Sequence, residues 1–337
     1  AQAALCNGDL ASAVGAFNEE LRHSVCTDSS VRELFRALQP HSEIAGVEVA
    51  EPLGSRTLDA PLLAAAYDSE TECWFVASTN GSLLAIDTEL QKPASSYKVE
   101  TDALCALALH PHGGLGAVAG FNRKLYVFRS SAPDTPVRLE GHRSIVSTLA
   151  IGGNGTVVSG SYDHTVRVWD LRTSSCSRIF SGHERQVTTL AVSPDGSLVA
   201  SGDLGGTVIV WNAATGSTIH RWNPTNAAVS SLCFAAQGEL VVAGDVTGMV
   251  RVWNLRSGRC QSECVLHEGA ITKMLGLWND AWLVSGSVDG RLRAWRAEEP
   301  AKATILFTAP GAITALAQTA DGAALLVADA SARATLL

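Results

Sequence analysis

The chain has 337 residues, of which 46% are hydrophobic and 17% are charged, and its formal net charge at pH 7 is −8. This composition is sufficient for a continuous core, and the charge balance is unlike the clustered lysine and arginine of nucleic-acid-binding proteins. No apolar run is long enough for a membrane span, and the first residues lack the regions of a signal peptide. The sequence therefore gives no support to membrane insertion or to nucleic-acid binding.

The eight cysteines show no spacing typical of a zinc site, which indicates free thiols in a reducing compartment. His110 and His112 flank Pro111 in the manner of a metal-binding pair, but another repeat of the chain has a plain turn at this position. We therefore expect neither a metal nor a cofactor. The expected location is intracellular, with the cytoplasm favoured and an organelle or the nucleus left open.

The first predicted elements, within residues 1–53, are helical. Leu10, Val14, Phe17 and Leu21 recur at the spacing of one helix face. Ser30 and Glu33 have the spacing of a capping box for a second helix. Residues 8–21 resemble one helix of a tetratricopeptide or pentatricopeptide repeat. The segment is thus either a helical hairpin or the tail of a helical repeat array, and in both cases we expect it to bind a partner.

From residue 54 onward the chain repeats itself about every 42 residues. The steps between successive apolar residues that open each unit are 42, 42, 41, 42, 42 and 42. A second marker, which is tryptophan in four units, keeps the same period. The opening residues are Leu62, Leu104, Val146, Val187, Val229, Ile271 and Ile313. Seven units of this length with a recurring aromatic residue indicate the blades of a β-propeller.

One unit shows what each blade contains. Short β-branched runs at 145–151, 156–160, 165–169 and 176–180 are separated by Gly, Asn and Asp, a pattern typical of four strands joined by turns. The chain is therefore predicted to be all-β, a seven-bladed propeller of four-stranded antiparallel sheets over residues 54–337. The seventh unit has only three candidate strands. We expect residues 54–60 to supply the fourth strand and close the ring, which removes exposed sheet edges.

The Gly141–His142 pair that opens this unit and the Trp169–Asp170 pair that closes it resemble those of the WD-repeat family. The resemblance covers residues 54–337, although Asn212 and Asn254 replace the Asp in two units. It implies a β-propeller that binds other proteins. We expect the protein to have no enzymatic activity.

A serine, a histidine and an aspartate recur together in these units, a combination that on another scaffold would suggest nucleophilic catalysis. In WD-repeat proteins the matching residues form a buried hydrogen-bonded chain that ends on the tryptophan, so the resemblance implies a structural role. Gly205 stands at the aspartate position of the fourth unit, and Thr225 and Thr247 replace His and Asp in the fifth. The predicted network comprises His142, Ser159, Asp163, Trp169, His183, Ser201, Trp211, His267, Ser285, Asp289 and Trp295.

Alignment of the units places Tyr162, Leu204, Val246 and Val288 at equivalent turn tips, where polar residues are usual. If these side chains face solvent, they form an apolar arc, and such patches mark interaction sites; the alternative is that they fold inward. Arg143, Glu184 and Arg185, just after the Gly-His positions, would form a polar rim. We expect other proteins to bind through this rim and through the N-terminal helices.

Residues 157–172, which end in Trp-Asp-Leu-Arg, resemble the box by which some WD-repeat proteins dock onto the adaptor of a cullin-type ubiquitin ligase, where an arginine like Arg172 contributes. The primary functional hypothesis is a non-enzymatic scaffold subunit of a multiprotein assembly. The alternatives are a ligase substrate receptor that uses the motif at 169–172 and, if the helical segment is a pentatricopeptide tail, a component of an RNA–protein particle.

Overall fold

The computed structural model describes residues 52–90, 95–99, 103–277, 282–320 and 322–337. These residues form seven four-stranded antiparallel sheets, and the prediction of a seven-bladed β-propeller is confirmed. The predicted helices of the N-terminal segment lie before residue 52 and therefore outside the described residues. Within those residues the one helical element is a single 3-10 turn, Ala236–Gly238.

Blades 1 to 3 follow one another along the chain, and in each the strands pair in sequence order. Blade 1 consists of Leu62–Asp68, Cys73–Ser78, Ser82–Asp87 and Ser95–Lys98. Blade 2 consists of Leu104–Leu109, Leu115–Gly120, Leu125–Arg129 and Ala132–Leu139. Blade 3 consists of Val146–Ile151, Val157–Ser161, Val166–Asp170 and Ser175–Phe180. The strands of blade 3 begin and end within one residue of the sequence prediction.

Blades 4 to 6 repeat the same order. Blade 4 consists of Val187–Val192, Leu198–Asp203, Val208–Asn212 and Thr218–Trp222. Blade 5 consists of Val229–Ala235, Leu240–Asp245, Met249–Asn254 and Cys260–Val265. Blade 6 consists of Ile271–Leu277, Trp282–Ser287, Arg291–Arg296 and Glu299–Thr308.

Blade 7 is built from both ends of the described chain. Ile313–Gln318, Leu325–Asp329 and Arg333–Leu336 form three strands, and Gly54–Thr57 is the fourth. Gly54 lies opposite Leu336 and Thr57 opposite Arg333 in an antiparallel register. Because an outer strand from the start of the propeller pairs with the last strand of the chain, the ring cannot open without breaking this ladder.

The core lies between neighbouring blades. One buried cluster, for example, joins Val158 and Val166 of blade 3 to Val199, Ile209 and Trp211 of blade 4. The first strands of successive blades contact each other around the ring, and the first strand of blade 7 contacts that of blade 1. They surround an axial cavity of about 120 Å³ that is lined mostly by small and hydroxyl-bearing side chains.

Candidate interaction surface

The turn between the second and third strands of every blade is held in the same way. The first residue of the turn donates its backbone N–H to the carbonyl of the residue just before the first strand of that blade, over 2.9–3.3 Å. This bond brings the turn and the loop that enters the blade side by side on one face of the ring, which we call the tip face. Its seven donors are Thr79, Phe121, Tyr162, Leu204, Val246, Val288 and Ala330.

The four predicted apolar tips point into solvent. The exposed fractions are 37% for Tyr162, 41% for Leu204, 46% for Val246 and 47% for Val288, so these side chains do not fold inward. The structure adds a fifth tip that sequence reasoning missed, because Phe121 of blade 2 is 51% exposed. Phe121 precedes Tyr162 by 41 residues, the same step that separates the second markers of blades 2 and 3, so the sequence did contain this signal. Five consecutive blades therefore present an apolar arc.

The two predicted rim arginines lie beside this arc. Arg143 is exposed, and its backbone N–H donates to Asp163 Oδ2 over 2.8 Å, next to Tyr162. Arg185 is also exposed, and its aliphatic stem lies against Gly205, next to Leu204. The neighbouring Glu184 is exposed as well, and its Oε1 lies 3.8 Å from Nη2 of Arg221.

In blade 3 the predicted residues are joined by short hydrogen bonds behind the tip face. His142 Nδ1 lies 2.8 Å from Asp163 Oδ2, and its Nε2 lies 2.7 Å from Ser159 Oγ. Trp169 donates its indole N–H to the same Oγ over 2.8 Å. Ser159 is fully buried, so no substrate can reach its hydroxyl. The arrangement ties the entering loop to the second and third strands of the blade and to the turn between them.

Blade 6 repeats this network. His267 Nδ1 lies 3.0 Å from Asp289 Oδ2, and its Nε2 lies 2.8 Å from Ser285 Oγ. The indole N–H of Trp295 reaches Ser285 Oγ at 3.3 Å. Such a chain satisfies polar groups that would otherwise be costly to bury.

Blade 4 departs from the sequence prediction in two respects. Although Gly205 occupies the expected aspartate position, the carboxylate is supplied by Asp203, whose Oδ2 lies 2.7 Å from His183 Nδ1. His183 Nε2 lies 2.7 Å from Ser201 Oγ, as in the other blades. The prediction that Trp211 joins the network is wrong, because its buried indole N–H has no hydrogen-bond partner in the structure. The Trp211 ring instead stacks on Phe180 at 4.7 Å between ring centroids.

Blade 5 holds the same region together without a histidine. Asp245, the counterpart of Asp203, accepts a hydrogen bond from Arg251 Nη1 at 3.0 Å, and Arg251 Nε reaches Glu263 Oε2 at 3.2 Å. Asp245 also accepts bonds from the backbone and hydroxyl of Thr247. A buried ion pair therefore replaces the histidine-centred chain here.

Electrostatics keep the network aspartates ionised. Burial acts to raise the pKa of Asp163, but hydrogen bonds from His142, Thr165 and the Arg143 backbone outweigh it and hold the pKa below its ordinary value. The same balance lowers the pKa of Asp203, Asp245 and Asp289. For His267, burial lowers the pKa and outweighs the opposing effect of Asp289.

Arg172 lies at the other end of the blade. It follows the third strand of blade 3, whereas Tyr162 precedes that strand, so the two residues are on opposite faces of the ring. The Arg172 side chain is 91% exposed, with Nε 3.5 Å from Asp170 Oδ1. The predicted arginine is thus accessible, but it is separate from the apolar arc.

The histidine pair of blade 2, His110 and His112, makes contacts within the protein. In the described part of the chain, no cluster of histidine, cysteine or acidic residues has the geometry to hold a metal ion. His110 Nε2 lies instead 3.2 Å from the carbonyl oxygen of Gly153 in the next blade. No helix among the residues described above is long and apolar enough to cross a membrane.

Comparison with known families agrees with this geometry. The sequence model of the WD domain, G-beta repeat, matches residues 135–170, 174–212, 216–254 and 258–296. Each match begins in the fourth strand of one blade, or one or two residues before it, and ends with the third strand of the next. The chain therefore carries four WD repeats within a seven-bladed β-propeller. Its repeat unit is therefore offset from the structural blade by one strand, so that each repeat joins two blades.

Two similar proteins match parts of this chain. The guanine nucleotide-binding protein subunit beta of Schizosaccharomyces pombe is 29% identical over 119 residues, which are 35% of this chain and 39% of that protein. The F-box/WD repeat-containing protein 10 of Mus musculus is 34% identical over 86 residues, 25% of this chain and 8% of that protein. The chain thus matches less than half the length of either relative.

Proposed function

We propose that the protein is a non-enzymatic scaffold subunit of a multiprotein assembly and that it binds a partner through the apolar arc. The observation that carries this proposal is the exposure of five large apolar side chains at equivalent tips: Phe121, Tyr162, Leu204, Val246 and Val288. Contiguous exposed apolar surface on a rigid frame is typical of interaction sites. The name of one relative describes a subunit, which agrees with membership of an assembly.

The arc is tested by replacing Tyr162 and Leu204 with serine in the full chain and by comparing crosslinked affinity purifications from the source cells. Because both side chains are exposed, the variant should keep its melting temperature while it loses a stoichiometric partner. A matched control replaces Val137 and Ile179, which are 50% and 51% exposed on outer strands, with serine. An unchanged set of crosslinked proteins in the Tyr162→Ser/Leu204→Ser variant would contradict the proposal.

The predicted second binding element is residues 1–53. Its contribution is measured in the same purification with a chain that begins at residue 54. If the segment binds a partner of its own, one set of crosslinked proteins disappears on truncation while another disappears only on substitution of the arc. Identical losses in both variants would indicate a single binding surface.

A second candidate function is that of a substrate receptor of a cullin-type ubiquitin ligase. It is favoured by the 91% exposure of Arg172 and by the similarity to a protein whose name joins an F-box to WD repeats. Arg172→Ala should abolish co-purification of the adaptor, whereas Arg256→Ala, at the equivalent turn of blade 5, should not. An adaptor that is absent from the unmodified sample, or retained by Arg172→Ala, would exclude this function.

A further inference from the structure

The apolar arc differs in charge along its length. In blade 3, Asp163 accepts the backbone N–H of Arg143 and so fixes this arginine beside Tyr162. In blade 4, the stem of Arg185 lies against the glycine that follows Leu204. Blade 6 carries Glu268 at the position of Arg143, and its backbone N–H donates in the same way to Asp289. Exposed arginines therefore stand beside the arc in blade 3 and blade 4, where Arg185 is next to Glu184, whereas the matching loop of blade 6 carries Glu268.

The carboxylates of the same loops and turns have other partners. Asp163 and Asp203 are bound to the network histidines, and Glu140 is paired with Arg138. Glu184 faces Arg221. Among the described residues, no acidic side chain forms an ion pair with the guanidinium group of Arg143 or of Arg185. Both groups remain available to a carboxylate from outside.

The other half of the arc offers no such group at the equivalent positions. Glu268 of blade 6 is held by Arg291 at 3.1 Å. Blade 5 has Thr225 and Asn226 in its entering loop, so Val246 has neutral neighbours there. A ligand that follows the arc from blade 3 to blade 6 thus meets two tips beside Arg143 and Arg185 first. It then meets two tips whose entering loops carry neutral residues or the paired Glu268.

From this arrangement, and resting on the function proposed above, we propose that the occupant of the arc is an acidic, apolar peptide segment of a partner protein. Its aspartate or glutamate side chains bind Arg143 and Arg185, and its apolar side chains cover Val246 and Val288. Guanidinium groups suit carboxylates because they donate two parallel hydrogen bonds. The chain as a whole carries a net charge of −8, so these two arginines give an acidic segment one preferred place and orientation.

The proposal is tested by selecting peptides from a random 12-residue display library on the full chain. The selected sequences should combine acidic with apolar residues, and their binding should weaken with added salt. In the Arg143→Glu/Arg185→Glu variant we expect affinity to fall by about tenfold or more, and a fresh selection to enrich Lys and Arg in place of acidic residues. The matched control is Arg172→Glu/Arg256→Glu, which reverses two exposed arginines on the opposite face.

The outcomes separate this inference from the proposed function. The selection could yield apolar peptides without acidic residues, whose binding is lost in Tyr162→Ser/Leu204→Ser but unchanged in Arg143→Glu/Arg185→Glu. This result would overturn the proposal of an acidic segment and leave the scaffold proposal in place. If none of these substitutions changes the binding of the selected peptides, both the acidic segment and the binding role of the arc are overturned. A selection that enriches no peptide would overturn the inference that the arc accepts a single linear segment.

Discussion

Replacement of His142 by alanine is the most direct test of the network in blade 3. The substitution removes the bond to Asp163 Oδ2 at 2.8 Å and the bond to Ser159 Oγ at 2.7 Å. Neither partner is left without any bond, because Asp163 keeps the N–H groups of Arg143 and Thr165 and Ser159 keeps Trp169. Two buried hydrogen bonds with partly compensated partners correspond to a loss of about 1–3 kcal/mol in the free energy of unfolding.

The loss is measured by urea unfolding followed by tryptophan fluorescence and by calorimetry. With a shift of about 2–4 °C per kcal/mol in a domain of moderate size, a lower melting temperature should be resolved easily. His112→Ala is the control, because His112 is exposed and lies outside the network. Asp163→Ala and the double variant complete a cycle that gives the coupling energy of the pair directly.

His183→Ala makes the comparison sharper. Ser201 Oγ has no tryptophan donor in blade 4 and would keep only its contact with the carbonyl of Ile209, at 3.4 Å. The loss should therefore be at least as large as for His142→Ala. If both histidine variants melt at the same temperature as His112→Ala, the reasoning that these hydrogen-bond networks stabilise the blades is refuted.

Three further outcomes are expected. Stability should fall as the pH is lowered from 7 toward 3, which thermal melts at successive pH values would show. The unfolded chain takes up a proton on His267 more readily than the folded one, which favours unfolding as the pH falls. The four aspartates with lowered pKa stabilise the fold above their ordinary pKa of 3.8, and this stability is lost as the pH falls further and they protonate. Asp163→Asn should flatten the acid part of this profile. Gly248→Ala should lower the free energy of unfolding, measured in urea, by clearly more than the roughly 1 kcal/mol expected of Gly155→Ala. Both glycines have positive φ, but only at Gly248 would a Cβ overlap a backbone carbonyl, that of His267. Equal losses in the two variants would contradict this. Lys273 is exposed within the axial cavity, where desolvation lowers its pKa. Trace acetylation near neutral pH, read by mass spectrometry, should therefore modify it ahead of Lys302, which is exposed on an outer strand; the reverse order would count against it.

The repeat made most of the fold predictable. Strand positions follow from alternating β-branched runs and from the Gly, Asn and Asp residues of turns, and these are local signals. The tips were found in the same way, since equivalent positions of a repeat have equivalent places in the fold. Phe121 was missed although it keeps the period, because blade 2 lacks the tryptophan that anchors the alignment of the other blades.

The network could be predicted only where a blade follows the common pattern. In blade 4 the carboxylate comes from Asp203, two residues before the expected position, because the turn allows either site to approach His183. In blade 5 the sequence shows that the histidine is missing, but the replacement by Arg251 and Asp245 depends on side chains that converge from different strands. Contacts of this kind depend on packing rather than on spacing.

By itself the sequence determined the number of blades, the approximate bounds of the strands of blade 3, and four of the residues that stand at the tips, because periodicity and turn chemistry act over a few residues. The tertiary structure decided which carboxylate meets each histidine and left Trp211 outside the network. It also showed that the five tips face solvent together. Those features depend on how side chains distant in the sequence share the space between neighbouring blades, and no local pattern specifies that arrangement.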